Sequence, residues 1–142
     1  LTDSLRGLIL FYTGFMLPTV IWIMHSYFLT LPHELEEAAM IDGCNRFQAL
    51  IQVILPLSGP GLVAVSAFTF LSSWNEFFMA LIFTGANTKT ITVTVTEFSS
   101  QFGVDYGLMA TGGVIGSIPP LVLAFLLQKY IVAGLTAGSV KG

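Results

Sequence analysis

Three long stretches of this 142-residue chain carry no charged side chain: Gly7 to His33, Phe47 to Asn75 and Tyr106 to Gln128, of 27, 29 and 23 residues. A helix of about 20 apolar residues crosses the hydrocarbon of a bilayer, so each stretch is long enough to span one. Charged residues make up 9% of the chain, against roughly 25% in an ordinary soluble domain. The five basic and eight acidic residues fall at 3 and 6, at 34 to 46, at 76, at 89 to 105, and at 129 and 141. That pattern excludes a soluble enzyme, a nucleic-acid-binding domain and a disordered tail. It describes a membrane protein.

The net charge of −3 leaves no basic patch for nucleic acid and no polybasic cluster for lipid head groups. The single cysteine, Cys44, cannot close an internal disulfide, and no partner residues for metal or redox chemistry lie near it. The chain opens on Leu1, with no basic segment and cleavage site before the first apolar run. It is therefore read as a fragment whose N-terminal spans are missing.

The first span is expected over about 7–29, kinked at Pro18, where the ring removes a backbone donor. Leu31-Pro32 ends it, and the most polar segment of the chain follows. Residues 33–43 read as a short surface helix with three glutamates at its positive end and Gly43 as its stop. Leu35, Ala38, Ala39 and Asp42 fall on one helical face, which is shallow because two of its members are alanine. Asn45 can cap a second helix, along which Phe47, Leu50, Ile51 and Ile54 follow the helical period before Leu55-Pro56 closes it.

A second span over about 61–84 contains Trp74-Asn75-Glu76. Glu76 lies about 22 Å from Gly61 at 1.5 Å per residue, past the middle of a bilayer. A charge there faces protein or water and not lipid. Two readings stay open: a carboxylate lining a translocation pathway together with Trp74 and Asn75, or one bonded to a neighbouring helix. Residues 85–106 form the next loop, and the alternation of Thr90-Ile91-Thr92-Val93-Thr94-Val95-Thr96 predicts a strand within it. The third span, about 107–130, contains Gly112 and Gly116 at the spacing that lets helices approach closely in lipid. Pro119-Pro120 should distort it. Three spans place 30–60 and the tail 131–142 on one side of the membrane. Arg46, Lys129 and Lys141 lie on that side against Arg6 and Lys89 on the other, which settles little.

The sequence has no phosphate-binding glycine loop, no dinucleotide fingerprint and no clustered Cys/His spacing. It therefore calls for no metal, no cofactor and no catalytic residue, and any energy must arrive from another subunit. Glu37-Ala38-Ala39, three residues, Gly43, nine residues, Val53, one residue, then Leu55-Pro56 resembles the EAA motif of ABC importer permeases. Val53 stands where that family usually has Ile. Ile41-Asp42-Gly43 and Leu55-Pro56-Leu57 strengthen that match, while Trp74-Asn75-Glu76-Phe77 and the tail from Gly134 to Gly142 are similar to the carbohydrate-importer branch, the maltose/multiple-sugar type and its smaller permease subunit. The likeness covers the whole chain, which corresponds to about the C-terminal half of such a permease.

The resemblance implies an all-α membrane protein with three transmembrane helices and a cytoplasmic EAA coupling helix, part of a type I ABC importer permease core. It implies that the EAA segment sits in a groove of a cytoplasmic ATPase dimer. By the same likeness Glu37 anchors the helix, Ala38 and Ala39 keep its face shallow, and Gly43 makes the turn. Asp42, Leu55 and Pro56 complete the coupling set. Gly134, Leu135, Thr136, Ala137, Gly138 and Lys141 of the tail would touch the ATPase, and 85–106 would face a solute-binding protein on the outside. A second permease subunit completes the implied assembly in the cell membrane, with ATP hydrolysis left to the ATPase. Other readings are an importer for another solute, such as glycerol phosphate or an amine, an ion-coupled secondary transporter working through Glu76, and a non-transporting scaffold. The spacing of the EAA residues argues against the last two.

Overall fold

A computed structural model describes residues 3–100 and 103–137. Helix α1 runs Leu5–Phe28, α2 Glu34–Ile41 and α3 Arg46–Ala49. A π-helical turn at Leu50–Ile54 then leads into the single turn α4, Leu55–Leu57. Helices α5 (Gly59–Asn75), α6 (Phe78–Phe83) and α7 (Ile91–Glu97) follow. A two-residue ladder pairs β1 (Ser99–Ser100) with β2 (Gly103–Val104), and α8 takes Tyr106–Ala137. Among the described residues α1 and α8 are each long and apolar enough to cross a membrane. Large side chains such as Trp22, Leu121 and Phe125 stand exposed on them. In water that surface would drive aggregation; in a bilayer it is ordinary.

The chain packs as two units. One contains the chain up to Pro18 together with Phe68–Leu126. Its core is Leu8 of α1, Ala80 of α6 and Val93 of α7, with Tyr12 and Phe83 against them. Phe11 stacks on Phe83 at 5.3 Å between ring centroids.

The alternating segment 90–96 is a helix, and not the strand its periodicity predicts. Val93 turns into the core, while Ile91 and Val95 lie against Gly116 and Gly112 of α8. A seven-residue helix wedged between two apolar surfaces thus mimics an alternating pattern. Two of the threonines turn back on their own helix: Thr94 Oγ1 donates to the Thr90 carbonyl at 3.0 Å and Thr96 Oγ1 to that of Val93 at 2.8 Å. With no neighbouring sheet to join, packing of buried Val93 and half-buried Ile91 and Val95 outweighs β propensity.

Gly112 and Gly116 serve a close approach of a short helix rather than of another span. A Cβ on Gly112 would lie 2.7 Å from Val95 Cγ2, and one on Gly116 would lie 3.3 Å from Ile91 Cγ1. Helix α8 continues through Pro119 and Pro120. Pro120 cannot donate to the carbonyl four residues back, that of Gly116. The Trp74 indole N–H donates to that carbonyl instead, at 2.9 Å.

The second unit contains Thr19–Ala67 and the chain from Leu127 onward. Helix α2 packs on α3 and on the π turn, and Ala39 and Ala49 are the buried residues of these helices. Gly43, at φ +92°, ends α2. The Cys44 amide donates to the Ala39 carbonyl at 3.0 Å and the Gly43 amide to that of Met40 at 3.1 Å. These are the two bonds of a Schellman motif. Asn45 and Gln48 close α3 reciprocally, each side chain accepting from the other's amide at 2.9 Å.

Pro56 has no N–H and its ring crowds the preceding turn, so the helix widens before it and the Leu55 amide reaches the Leu50 carbonyl. The chain then bends by 73° between Arg46–Leu57 and Gly59–Asn75. Ser58 fills the bend, fully buried, its hydroxyl donating to the Ile54 carbonyl at 2.6 Å. Tyr27 lies flat on Gly61, where a Cβ would meet its ring at 2.7 Å. Only glycine admits that contact.

Candidate functional site

The sequence singles out two groups of residues within the described chain. The first lies in the α2-to-α4 segment. Glu37, Ala38 and Asp42 are exposed, as are Met40 and Ile41. Ala39 is 5% exposed and turns inward. The shallow face drawn from sequence is therefore split: Ala39 lets α2 lie close on its neighbours, and Ala38 is left on the outside beside Glu37. Gly43 makes the turn from α2 through its left-handed backbone. Leu55 and Pro56, both exposed, lie in α4 beyond the π turn. The result is a short acidic helix fixed at its end by backbone bonds and presenting Glu37, Ala38 and Ile41 outward. Such a surface can dock on another protein, and it carries no chemistry of its own.

In the tail, Gly134, Leu135, Thr136 and Ala137 fall in the last turns of α8. Gly138 and Lys141 lie outside the described residues.

The second group is Trp74-Asn75-Glu76, at the break between α5 and α6. Asn75 Nδ2 donates back to the Leu71 carbonyl at 2.8 Å. Glu76 accepts from three donors: the Met79 amide on Oε1 at 2.8 Å, and the Ala80 amide and Tyr12 hydroxyl on Oε2, each at 2.9 Å. Its own carbonyl accepts from Thr92 Oγ1 at 3.1 Å. Trp74 reaches Gly116 as described. Trp74→Phe keeps the ring and removes only the indole donor, leaving the Gly116 carbonyl without a partner. A loss of about 1–3 kcal/mol is expected, read as a lowered unfolding midpoint of the purified protein.

Sequence reasoning misses a second cluster in the same unit, built on Asp3. Its Oδ1 accepts from Thr88 Oγ1 at 2.7 Å and the Gly85 amide at 3.0 Å, and its Oδ2 from Asn87 Nδ2 at 3.3 Å. Its amide donates to the Phe83 carbonyl at 2.9 Å. Nothing in the local sequence ties a lone aspartate to a loop more than 80 residues away. The turn signature Gly85-Ala86-Asn87-Thr88 was the available hint of a structured anchor. Lys89 and Glu97 pair across α7 at 2.7 Å, both partly exposed.

The Thr88 hydroxyl is the main cause holding the Asp3 carboxyl below its ordinary value of 3.8, with the Gly85 amide and Asn87 adding to it against a partial burial penalty. A lowered pKa means that the ionised form is favoured in the fold. The clasp is therefore complete above pH 3.8 and weakens as pH falls through the lowered value. Exchange of the Gly85 amide should show that acid-side loss, and Asp3→Asn should abolish its pH dependence.

Residues 1–137 match the family described as "Binding-protein-dependent transport system inner membrane component". The chain is 44% identical over 133 residues to the trehalose/maltose transport system permease protein MalG of Thermococcus litoralis, covering 92% of this chain and 48% of that protein. It is 42% identical over 141 residues to the diacetylchitobiose uptake system permease protein DasC of Streptomyces coelicolor, covering 99% of this chain and 51% of that protein. With the trehalose transport system permease protein SugB of Mycobacterium tuberculosis it shares 41% identity over 145 residues, 100% of this chain and 53% of that protein. The chain thus spans about half the length of the curated relatives it matches. The match over nearly all its residues and the membrane-length helices agree: the chain belongs to the family of inner membrane components of binding-protein-dependent transport systems.

Proposed function

We propose that this chain is part of the permease subunit of an ATP-driven ABC importer that passes a carbohydrate across the cytoplasmic membrane. The observation that carries this reading is the α2 segment. It is an exposed acidic helix, closed by Gly43, that presents Glu37 and Ala38 at the spacing of the EAA motif. In this reading α2 docks on a cytoplasmic ATPase dimer and takes up its movement. Glu37, Ala38, Asp42 and Gly43 form or shape the contact, and Leu55 and Pro56 hand the movement to α5. Ala39 acts from inside by letting α2 pack.

The C-terminal tail lies on the same cytoplasmic side and adds to the ATPase contact. Residues 85–106 lie outside and meet the solute-binding protein, and a second permease subunit completes the pore. A carbohydrate is favoured because relatives at more than 40% identity are named for trehalose, maltose and diacetylchitobiose. An importer for a different small solute is the second reading. It is supported by a 36% identical relative named for sulfoquinovosyl glycerol.

The test is uptake by the full-length protein in vesicles with its ATPase, second permease and binding protein. Trehalose, maltose and diacetylchitobiose serve as first candidates. Accumulation that requires ATP and the binding protein is expected. Accumulation driven by an ion gradient without ATP would refute the reading, and ATP-driven uptake of a non-sugar alone would replace its substrate.

A further inference from the structure

Five helices meet at the break between α5 and α6. Glu76 caps the first turn of α6 through the Met79 and Ala80 amides and takes the Tyr12 hydroxyl of α1 on the same carboxyl. Its carbonyl takes Thr92 of α7, and the adjacent Trp74 fills the bond that Pro120 leaves open in α8. Both oxygens of Glu76 are engaged by donors from its own unit, and Leu8, Ala80 and Val93 pack beside the joint. Polar groups so connected in an apolar setting fix a geometry.

We propose that Glu76 is the positioning residue of this joint: it holds the start of α6 against α1 so that α6, α7 and the first half of α1 move as one body. The solute pathway does not use its charge. The inference deepens the importer reading and rests on it for the transport readout.

Glu76→Gln keeps one acceptor oxygen and places an amide N–H₂ where donors already converge. Tyr12→Phe removes a single oxygen from the same cluster. Both variants, and the double variant, are to be compared in the full-length protein assembled with its partner subunits in vesicles. One readout is hydrogen exchange at the Met79 and Ala80 amides. The other is uptake per assembled complex, separated into turnover and half-saturation.

Glu76→Gln is expected to speed that exchange and to slow turnover about tenfold, the effect of losing one hydrogen bond to a charged group, with half-saturation unchanged. Tyr12→Phe should move both in the same direction by less, and the double variant should resemble Glu76→Gln alone. If Glu76→Gln fails to assemble, Tyr12→Phe decides by the same two readouts. A shift in half-saturation or solute preference with exchange at the wild-type rate and Tyr12→Phe silent would overturn the proposal in favour of a pathway carboxylate. Wild-type behaviour in all three variants would overturn it as well. Failure of the wild-type complex to transport would sink the importer reading, and the exchange readout would still judge the joint.

Discussion

Glu37→Lys is expected to lower ATP-driven uptake by about a hundredfold or more, because a reversed charge at a protein contact costs several kcal/mol and each 1.4 kcal/mol is a factor of ten. Glu37 is exposed on α2, and its carboxylate accepts no hydrogen bond from the described residues of its own chain. Its replacement should therefore leave the permease folded and strike the contact alone. Gly43→Pro reaches the same end by another route. The backbone at Gly43 has φ +92°, a proline ring holds φ near −65°, and the substitution removes the amide that caps Met40. Helix α2 would then end in the wrong direction. Both variants are to be assayed for uptake and for stimulation of ATP hydrolysis by the loaded binding protein. Normal values in either assay would refute the coupling role.

Gly112→Leu is expected to destabilise the fold. A Cβ at this position lies 2.7 Å from Val95 Cγ2 and 3.7 Å from Phe98, so α7 must leave α8 or the helix must shift. Overpacking of this kind costs roughly 1–3 kcal/mol. The neighbouring glycine provides the control. A Cβ on Gly113 meets nothing within 4 Å, so Gly113→Leu should leave the unfolding midpoint close to that of the wild type. Equal losses at the two positions would show that the α7 contact does not set the cost.

What was legible in the sequence is what local chemistry decides. The uncharged runs mark α1 and α8, and the Gly43 and Asn45 signals mark the end of α2 and the start of α3. Both act within a few residues, and the structure supplies the very bonds they call for. The second apolar run hides its break: Glu76 caps α6 locally through the Met79 and Ala80 amides, but the same carboxyl also takes the Tyr12 hydroxyl from 64 residues away. The same limit explains α7. Only Val93 of its alternating positions is buried, with Ile91 and Val95 half-buried on the other side, and the surfaces that cover them are set by Leu8, Ala80 and the two glycines of α8. Gly112 and Gly116 announce a close approach without naming the partner, and the partner is a seven-residue helix. Trp74 answers a carbonyl left bare by Pro120, 46 positions on. Ala39, drawn outward by the motif, is held inward by packing. The Asp3 clasp has no local signature at all.

The central claim is that α2 carries the contact through which ATP energy enters the membrane. Its most direct test is cross-linking from single cysteines in the assembled, full-length transporter. Ala38→Cys, on the outer face, should form a covalent adduct with the ATPase whose yield changes when ATP is added. Ala39→Cys, one residue on and turned inward, should form none. Capture of the ATPase from Ala86→Cys in the 85–106 loop, with no adduct from Ala38→Cys, would move the energy input from α2 to that loop and contradict the account.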